Sequence, residues 1–256
     1  MKRIDLNCDM GELQPLLDDG TQERLMRCVS SVNVACGGHA GDEDLMRATL
    51  RQALREHVAI GAHPGYEDPG HFGRVELDLG AEEIAALVLR QLTRLEAIAT
   101  GCGARISFVK PHGALYNQAV RDRRIAAAIA AGVASWRRDV TLVGLAGPAG
   151  ETMLTAFRAA GFAVAAEAFA DRRYEADGRL RSRQLQDALI HDAAEAARHA
   201  IRIARGEGVL AVGGPVVAME AQTLCIHSDT PGSVAIARAV REALEADGFT
   251  VASISK

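Results

Sequence analysis

Residues 4–10 read Ile4-Asp5-Leu6-Asn7-Cys8-Asp9-Met10, apolar and polar side chains in alternation, and run on into Gly11 and Glu12. Residues two apart share one face of a strand, so Asp5, Asn7 and Asp9 point the same way. If the strand belongs to a closed barrel, that face is the interior. Carboxylates buried side by side are costly unless cations or hydrogen bonds compensate them, and their mutual repulsion moves carboxyl pKa values toward the range used in acid–base chemistry. A polar inward face of this kind is expected of a site rather than of a core.

Working outward, short β-branched or apolar runs recur at Ile4 to Cys8, Val32 to Ala35, Ala59 to Ala62, Ile106 to Lys110, Thr141 to Leu145, Ala163 to Glu167, Thr223 to His227 and Thr250 to Ile254. Helical periodicity separates them. Leu45, Met46, Leu50, Ala53 and Leu54 follow Asp42 as an N-cap, and Ile84, Leu87, Val88, Leu92, Leu95 and Ile98 share one helical face. Further helices are predicted over Ile125 to Ser135, Glu151 to Ala160, Gln184 to Arg205 and Ser233 to Asp247. Regular strand–helix alternation indicates a parallel sheet with right-handed crossovers, closed into a barrel or open and doubly wound. The closed form is favoured, as an α/β single domain over residues 1–256, a length at which such barrels commonly form one unit. Two long polar stretches, His63 to Arg74 and Ala168 to Arg183, break the rhythm and read as functional loops.

Composition narrows the function. With Lys+Arg 29 and Asp+Glu 33 the formal charge is −4, which argues against a nucleic-acid partner held by phosphate neutralisation. No apolar run approaches the roughly 18 residues of a membrane span. Asp5 and Asp9 interrupt any signal-peptide core, and a cytoplasmic location is expected. The five cysteines are odd in number and form no CxxC, so reduced thiols are expected rather than a disulfide framework or a thiolate zinc site. All but three of the 29 basic residues are arginine; Lys2 and Lys256 are terminal, which leaves Lys110 as the one internal ammonium. Lysine is a compact charge whose pKa responds to burial, which marks Lys110 as functional.

In a β/α barrel the carboxyl ends of the strands converge on one face. Those positions carry Asp5, Asn7, Asp9 and Glu12 on the first strand, Asn33, Cys36 and His39 on the second, and His63 on the third. The fourth strand leads into Lys110, His112 and Tyr116, the sixth into Glu167, Asp171 and Arg172, and the seventh into His227 and Asp229. Of the eight histidines, His39, His63, His112 and His227 follow strands; His57, His191 and His199 are expected at the surface, and His71 in a loop. Imidazole with carboxylate suits zinc, yet neither HExxH nor another local two-ligand motif occurs, and no metal ligands are assigned. The backbone N–H groups of Gly37 and Gly38 are placed to cradle an anion at a helix N-terminus. No P-loop is present, since the chain holds no Gly-Lys pair.

Eight motifs, Asp5 to Glu12, Val32 to Asp42, Ile60 to Tyr66, Phe72 to Arg74, Val109 to Asn117, Val143 to Gly147, Phe169 to Arg172 and Gln222 to Asp229, resemble the LamB/YcsF family in register along the whole chain. The resemblance implies an irregular seven-stranded β/α barrel of the glycoside hydrolase/deacetylase type. Members of that family form the A-type subunit of the ATP-dependent 5-oxoprolinase, so it also implies opening of 5-oxoproline to glutamate at the expense of ATP, with two further subunits that hold most of the nucleotide. Two departures stand out. Gly38 occupies a position that is often aromatic in the family, which implies a roomier corner, and Ser182-Arg183-Gln184-Leu185 replaces the usual Pro-Arg-Ser-Gln.

On this reading Asp9, Lys110, His112, His39 and His63 are the catalytic set, with Asp9 or His112 as general base and Lys110 facing the developing negative charge. Asp5, Asn7, Glu12, Asn33, Gly37, Tyr116, Glu167, Asp171, Arg172, His227 and Asp229 form the substrate-binding set. A metal-dependent amidase or deacetylase on the same barrel, and a non-catalytic member of the complex, are the alternatives.

Overall fold

A computed structural model describes residues 2–254; the terminal Lys256 lies outside them. In chain order the elements are β1 (Lys2–Met10), α1 (Gln14–Asp18), α2 (Thr21–Met26), β2 (Ser31–Ala35), α3 (Glu43–Arg55), β3 (Ala59–His63), α4 (Ala81–Cys102), β4 (Ile106–Val109), α5 (Gly113–Arg121), α6 (Arg123–Trp136), β5 (Thr141–Leu145), α7 (Glu151–Ala159), β6 (Ala163–Phe169), α8 (Ala193–Ala204), β7 (Val209–Leu210), β8 (Val216–Val217), β9 (Thr223–His227), α9 (Ser233–Ala246) and β10 (Phe249–Val251). Seven parallel strands, in the order β1-β2-β3-β4-β5-β6-β9, close into a barrel through the β1–β9 pairing. β10 joins only the outer end of β1, alongside Lys2 to Ile4, and stays outside the ring.

Helix signals in the sequence act where expected. The Asp42 side chain accepts from the Leu45 N–H at 2.8 Å and starts α3, which buries Leu45, Met46, Leu50 and Ala53. α4 buries Ile84, Leu87, Val88, Leu92, Leu95 and Ile98. These side chains meet the outward residues of the strands, such as Leu6, Val32 and Ile60, in one continuous core. Each fully buried side chain of this size contributes roughly 1.5–3 kcal/mol. Inside the ring, Phe108, Val143 and Ala165 make a separate apolar cluster. Gly61 makes room for it, because a Cβ there would lie 2.1 Å from the Phe108 ring. Apolar packing on the inward faces of β4 to β6 therefore excludes water from one part of the barrel, and polar residues occupy the rest.

The structure differs from the sequence reading in four places. The helix expected from Gln184 begins only at Ala193, where the Asp192 side chain caps the Glu195 N–H at 2.7 Å; residues 184–192 run as turns. The last predicted strand is short, Phe249–Val251, and lies outside the barrel. The helices α1, α2 and α5 and the small antiparallel pair β7–β8 have no counterpart among the elements predicted from the sequence. His199, expected at the surface, is buried on the face of α8 that also buries Ala196, Ala200 and Ile203, and its ring lies 6.0 Å from Tyr174. Burial pushes it down to about 4, so it is neutral. His57 and His191 are exposed as expected. Among the described residues all five cysteines are free, and no helix is long and apolar enough to cross a membrane.

Candidate active site in the barrel

Strand register stacks the polar side chains in layers. Asp9 pairs in register with Asn33 on β2 and His227 on β9, and Asp5 with Thr223. The Asp5 carboxylate accepts from Ser30 at 2.7 Å, from Thr223 at 2.5 Å and from Ser31. Burial pushes its pKa up against those hydrogen bonds. Asn7 donates to Glu167 Oε1 at 3.0 Å and to Thr223 at 2.6 Å, and Asn33 donates to both Asn7 Oδ1 and Asp9 Oδ1 at 2.7 Å.

At the centre stands Lys110, 2% exposed. Its Nζ lies 2.9 Å from Glu167 Oε1, 3.0 Å from Asp9 Oδ1 and 3.1 Å from Cys225 Sγ, with the Phe169 ring centroid at 5.3 Å. Burial disfavours the ammonium, but the carboxylates of Asp9 and Glu167 outweigh it and hold Lys110 well above the usual lysine range. Burial likewise works against Asp9, yet the charges of His63 and Lys110 hold it well below the usual carboxylate range. Glu167 is pushed up by burial despite Lys110. Burial keeps Cys225 a thiol.

Beside this pair lie three histidines. A backbone carbonyl only accepts, so His63 donates through Nδ1 to Lys110 O at 2.7 Å, and His112 donates through Nε2 to Phe72 O at 2.8 Å. Their inner nitrogens, His63 Nε2 and His112 Nδ1, face each other at 3.0 Å. His39 stacks on His112 with centroids 3.6 Å apart and approaches Glu12 Oε1 through Nε2 at 3.0 Å. His63 is pushed up: burial opposes its charge, but Asp9, 3.4 Å from Nε2, outweighs it. Burial, and then the neighbouring His39 and His63, hold His112 well below the ordinary range. Gly73 allows this packing, since a Cβ there would lie 2.6 Å from the His39 Cβ.

A cavity of about 700 Å³ opens above these groups. Nine of the predicted residues line it: Asp9, Glu12, His63, Lys110, His112, Tyr116, Arg172, His227 and Asp229. Asn7, Asn33 and Glu167 lie beneath and orient the lining residues, and His39 and Asp171 stand behind His112 and His227. Asp171 accepts from the His227 ring at 3.0 Å and from Thr230 at 2.8 Å; burial opposes its charge, but His227 brings it down to about 2. Asp5 does not reach the cavity lining.

The glycine-rich turn does not act as expected. Gly37 N–H donates to Ala40 O at 2.9 Å, and Asp42 caps the helix, so the predicted anion cradle is occupied by the chain itself. The corner beside Gly38 is not roomy either. A Cβ there would lie 2.5 Å from the Gln91 amide, which fills the space and bonds Gly65 N–H at 3.0 Å and Gly65 O at 2.6 Å.

Several lining residues were not singled out from the sequence. Arg74 and Arg183 come from the two long loops and converge on Asp229, at 2.5 and 3.1 Å. Arg121, Arg179 and Arg181 also reach the cavity wall, each paired with a carboxylate, Glu76, Asp177 and Glu175 in turn. Arg172 is 5% exposed, and among the described residues it makes no ion pair. Burial, followed by the nearby Arg183, lowers it to about 10, and its Nε has no hydrogen-bond partner. Cys225 shares the inward face of β9 with Thr223 and His227, and that alternation could have marked it.

A closed parallel barrel with a buried lysine–carboxylate centre and a histidine cluster at one rim defines a β/α-barrel protein of enzyme type. The chain belongs to the LamB/YcsF family, whose model matches residues 4–256. It is 49% identical over 251 residues to the A-type subunit of 5-oxoprolinase from Chloroflexus aggregans, covering 98% of each chain. A crystal structure of the lactam utilization protein from Thermus thermophilus superposes with a TM-score of 0.89 at 41% identity, covering 98% of this chain and 100% of that one. A mutant form of the peptidoglycan deacetylase PdaC of Bacillus subtilis shares the fold alone, with a TM-score of 0.50 at 13% identity over 99% of this chain and 88% of that one.

Proposed function

We propose that this chain is the A-type subunit of an ATP-dependent 5-oxoprolinase and that its barrel opens the lactam ring of 5-oxoproline to give glutamate. The Lys110 ammonium, held between Asp9 and Glu167 where the cavity begins, is the observation that carries the reading. A five-membered lactam resists water because amide resonance must be broken. Two partner subunits move the terminal phosphoryl group of ATP onto the lactam oxygen and release ADP. Water then adds to the activated ring carbon, the ring C–N bond breaks as nitrogen gains a proton, and a second water frees phosphate from the resulting acyl phosphate.

The chain's own residues supply what that sequence needs. Lys110 faces the negative charge that develops on oxygen, an interaction that is strong in a water-poor site. Asp9, kept ionised beside His63, receives the proton of the attacking water. Arg172, buried and without a carboxylate partner of its own, suits the carboxylate of 5-oxoproline. A docking-only role is disfavoured, since burying this many ionisable groups is costly to the fold without serving it. The free thiols fit the reducing cytoplasm.

The test compares the isolated chain with the chain reconstituted with its two partner subunits, assayed for glutamate formed from 5-oxoproline. Formation only with partners and ATP is expected; a reconstituted complex that consumes no 5-oxoproline contradicts the reading.

A further inference from the structure

We infer that Glu12, His39, His63 and His112 form a binding site for one divalent transition-metal ion of the Zn²⁺ type. The inference goes beyond the ring-opening reading and does not depend on it. Its starting point is a pair of facing acceptors. His63 and His112 each spend their outer N–H on a backbone carbonyl, so with neutral rings two lone pairs meet at 3.0 Å. Either a proton on one ring, as Asp9 favours for His63, or a metal ion between the two makes that contact favourable. A proton would serve the two rings alone, whereas two more donors converge on the same point.

Glu12 Oε1 lies 3.0 Å from His39 Nε2, 3.5 Å from His112 Nδ1 and 3.9 Å from His63 Nε2, and the four donor atoms lie within 4.8 Å of one another. Bonds of about 2.0–2.1 Å to nitrogen or carboxylate oxygen place tetrahedral ligands roughly 3.3 Å apart. The observed edges bracket that value, so small side-chain shifts would complete the shell. Three imidazoles and one carboxylate match the preference of zinc and its neighbours rather than of Mg²⁺ or Ca²⁺. The outer hydrogen bonds of His63 and His112 fix their tautomers with the inner nitrogen free, as metal-bound histidines require. Glu12, His63 and His112 also line the cavity, which provides an entry path.

The experiment titrates the chelator-treated full-length chain with Co²⁺ or Zn²⁺, in the absence of ATP, 5-oxoproline and partner subunits. Expected are about one equivalent bound, a visible Co²⁺ spectrum of the intense tetrahedral kind, and a melting temperature raised by several degrees at saturation. Glu12→Gln and His39→Gln are expected to weaken binding at least tenfold, while His57→Ala and His191→Ala, both at exposed positions, leave it unchanged. No uptake by the wild-type chain, a weak octahedral spectrum, or binding that follows His57 and His191 would overturn the proposal. The wild-type stoichiometry and spectrum decide the matter even if a ligand variant fails to fold. Loss of ring opening with metal binding intact would count against the functional reading alone.

Discussion

Lys110 Nζ lies 2.9 Å from Glu167 Oε1, a carboxylate with no exposure to solvent. Two opposite charges in the interior are each costly, and removing one partner leaves the other uncompensated. Glu167→Gln keeps the shape, leaves Lys110 with Asp9 as its one carboxylate partner, and is expected to destabilise the fold by about 3 kcal/mol in urea or guanidinium unfolding. A change below about 0.5 kcal/mol, the scale of ordinary surface substitutions, would mean that the pair contributes little.

Asp171 supplies a pH signature. Its pKa is held at about 2 against an ordinary 3.8, a depressed carboxylate. Such a group stabilises the folded state above the unfolded pKa and loses that contribution as pH falls through the folded one. Asp171→Asn is therefore expected to cost about 2 kcal/mol at neutral pH. The difference from wild type should shrink between roughly pH 4 and pH 2. Unfolding curves at several pH values check both the size and the direction.

Arg172 tests substrate recognition. Truncation to Ala is expected to raise KM for 5-oxoproline by roughly ten- to a hundredfold with a smaller change in kcat, the size of a lost hydrogen bond to a charged group. Steady-state kinetics on the reconstituted complex separates the two. An unchanged KM would place the substrate carboxylate elsewhere.

Gly61 tests the packing inside the barrel. Because a Cβ at this position would lie 2.1 Å from the Phe108 ring, Gly61→Ala forces β3 and β4 apart or turns the ring off its rotamer. An overpacking cost of about 1–3 kcal/mol is expected, read as a lowered melting temperature.

Much of this arrangement was legible because strand alternation and strand-end position are local properties. Asp9, His63, Lys110, His112, Arg172 and His227 occupy comparable places at the ends of five strands, and closing the barrel brings them to one cavity. What was hidden depends on side chains that meet only in three dimensions. Arg74 and Arg183 sit in loops without periodicity and become part of the site through Asp229. The Gly37 turn has the composition of an anion site, but Ala40 O takes its N–H. His199 shares a face with alanines, a weak hydrophobic signal for a buried stripe. The Glu12, His39, His63 and His112 cluster draws on three strands' ends and the turn after β1, so no local spacing announces it.

The most direct measurement concerns Lys110. The Lys110→Met chain, shown by circular dichroism to be folded and by size exclusion to assemble with its partners, is assayed for ATP-coupled conversion of 5-oxoproline to glutamate. The account predicts a rate at least about a hundredfold below wild type, equivalent to roughly 3 kcal/mol of lost transition-state stabilisation; a rate within twofold of wild type would contradict it.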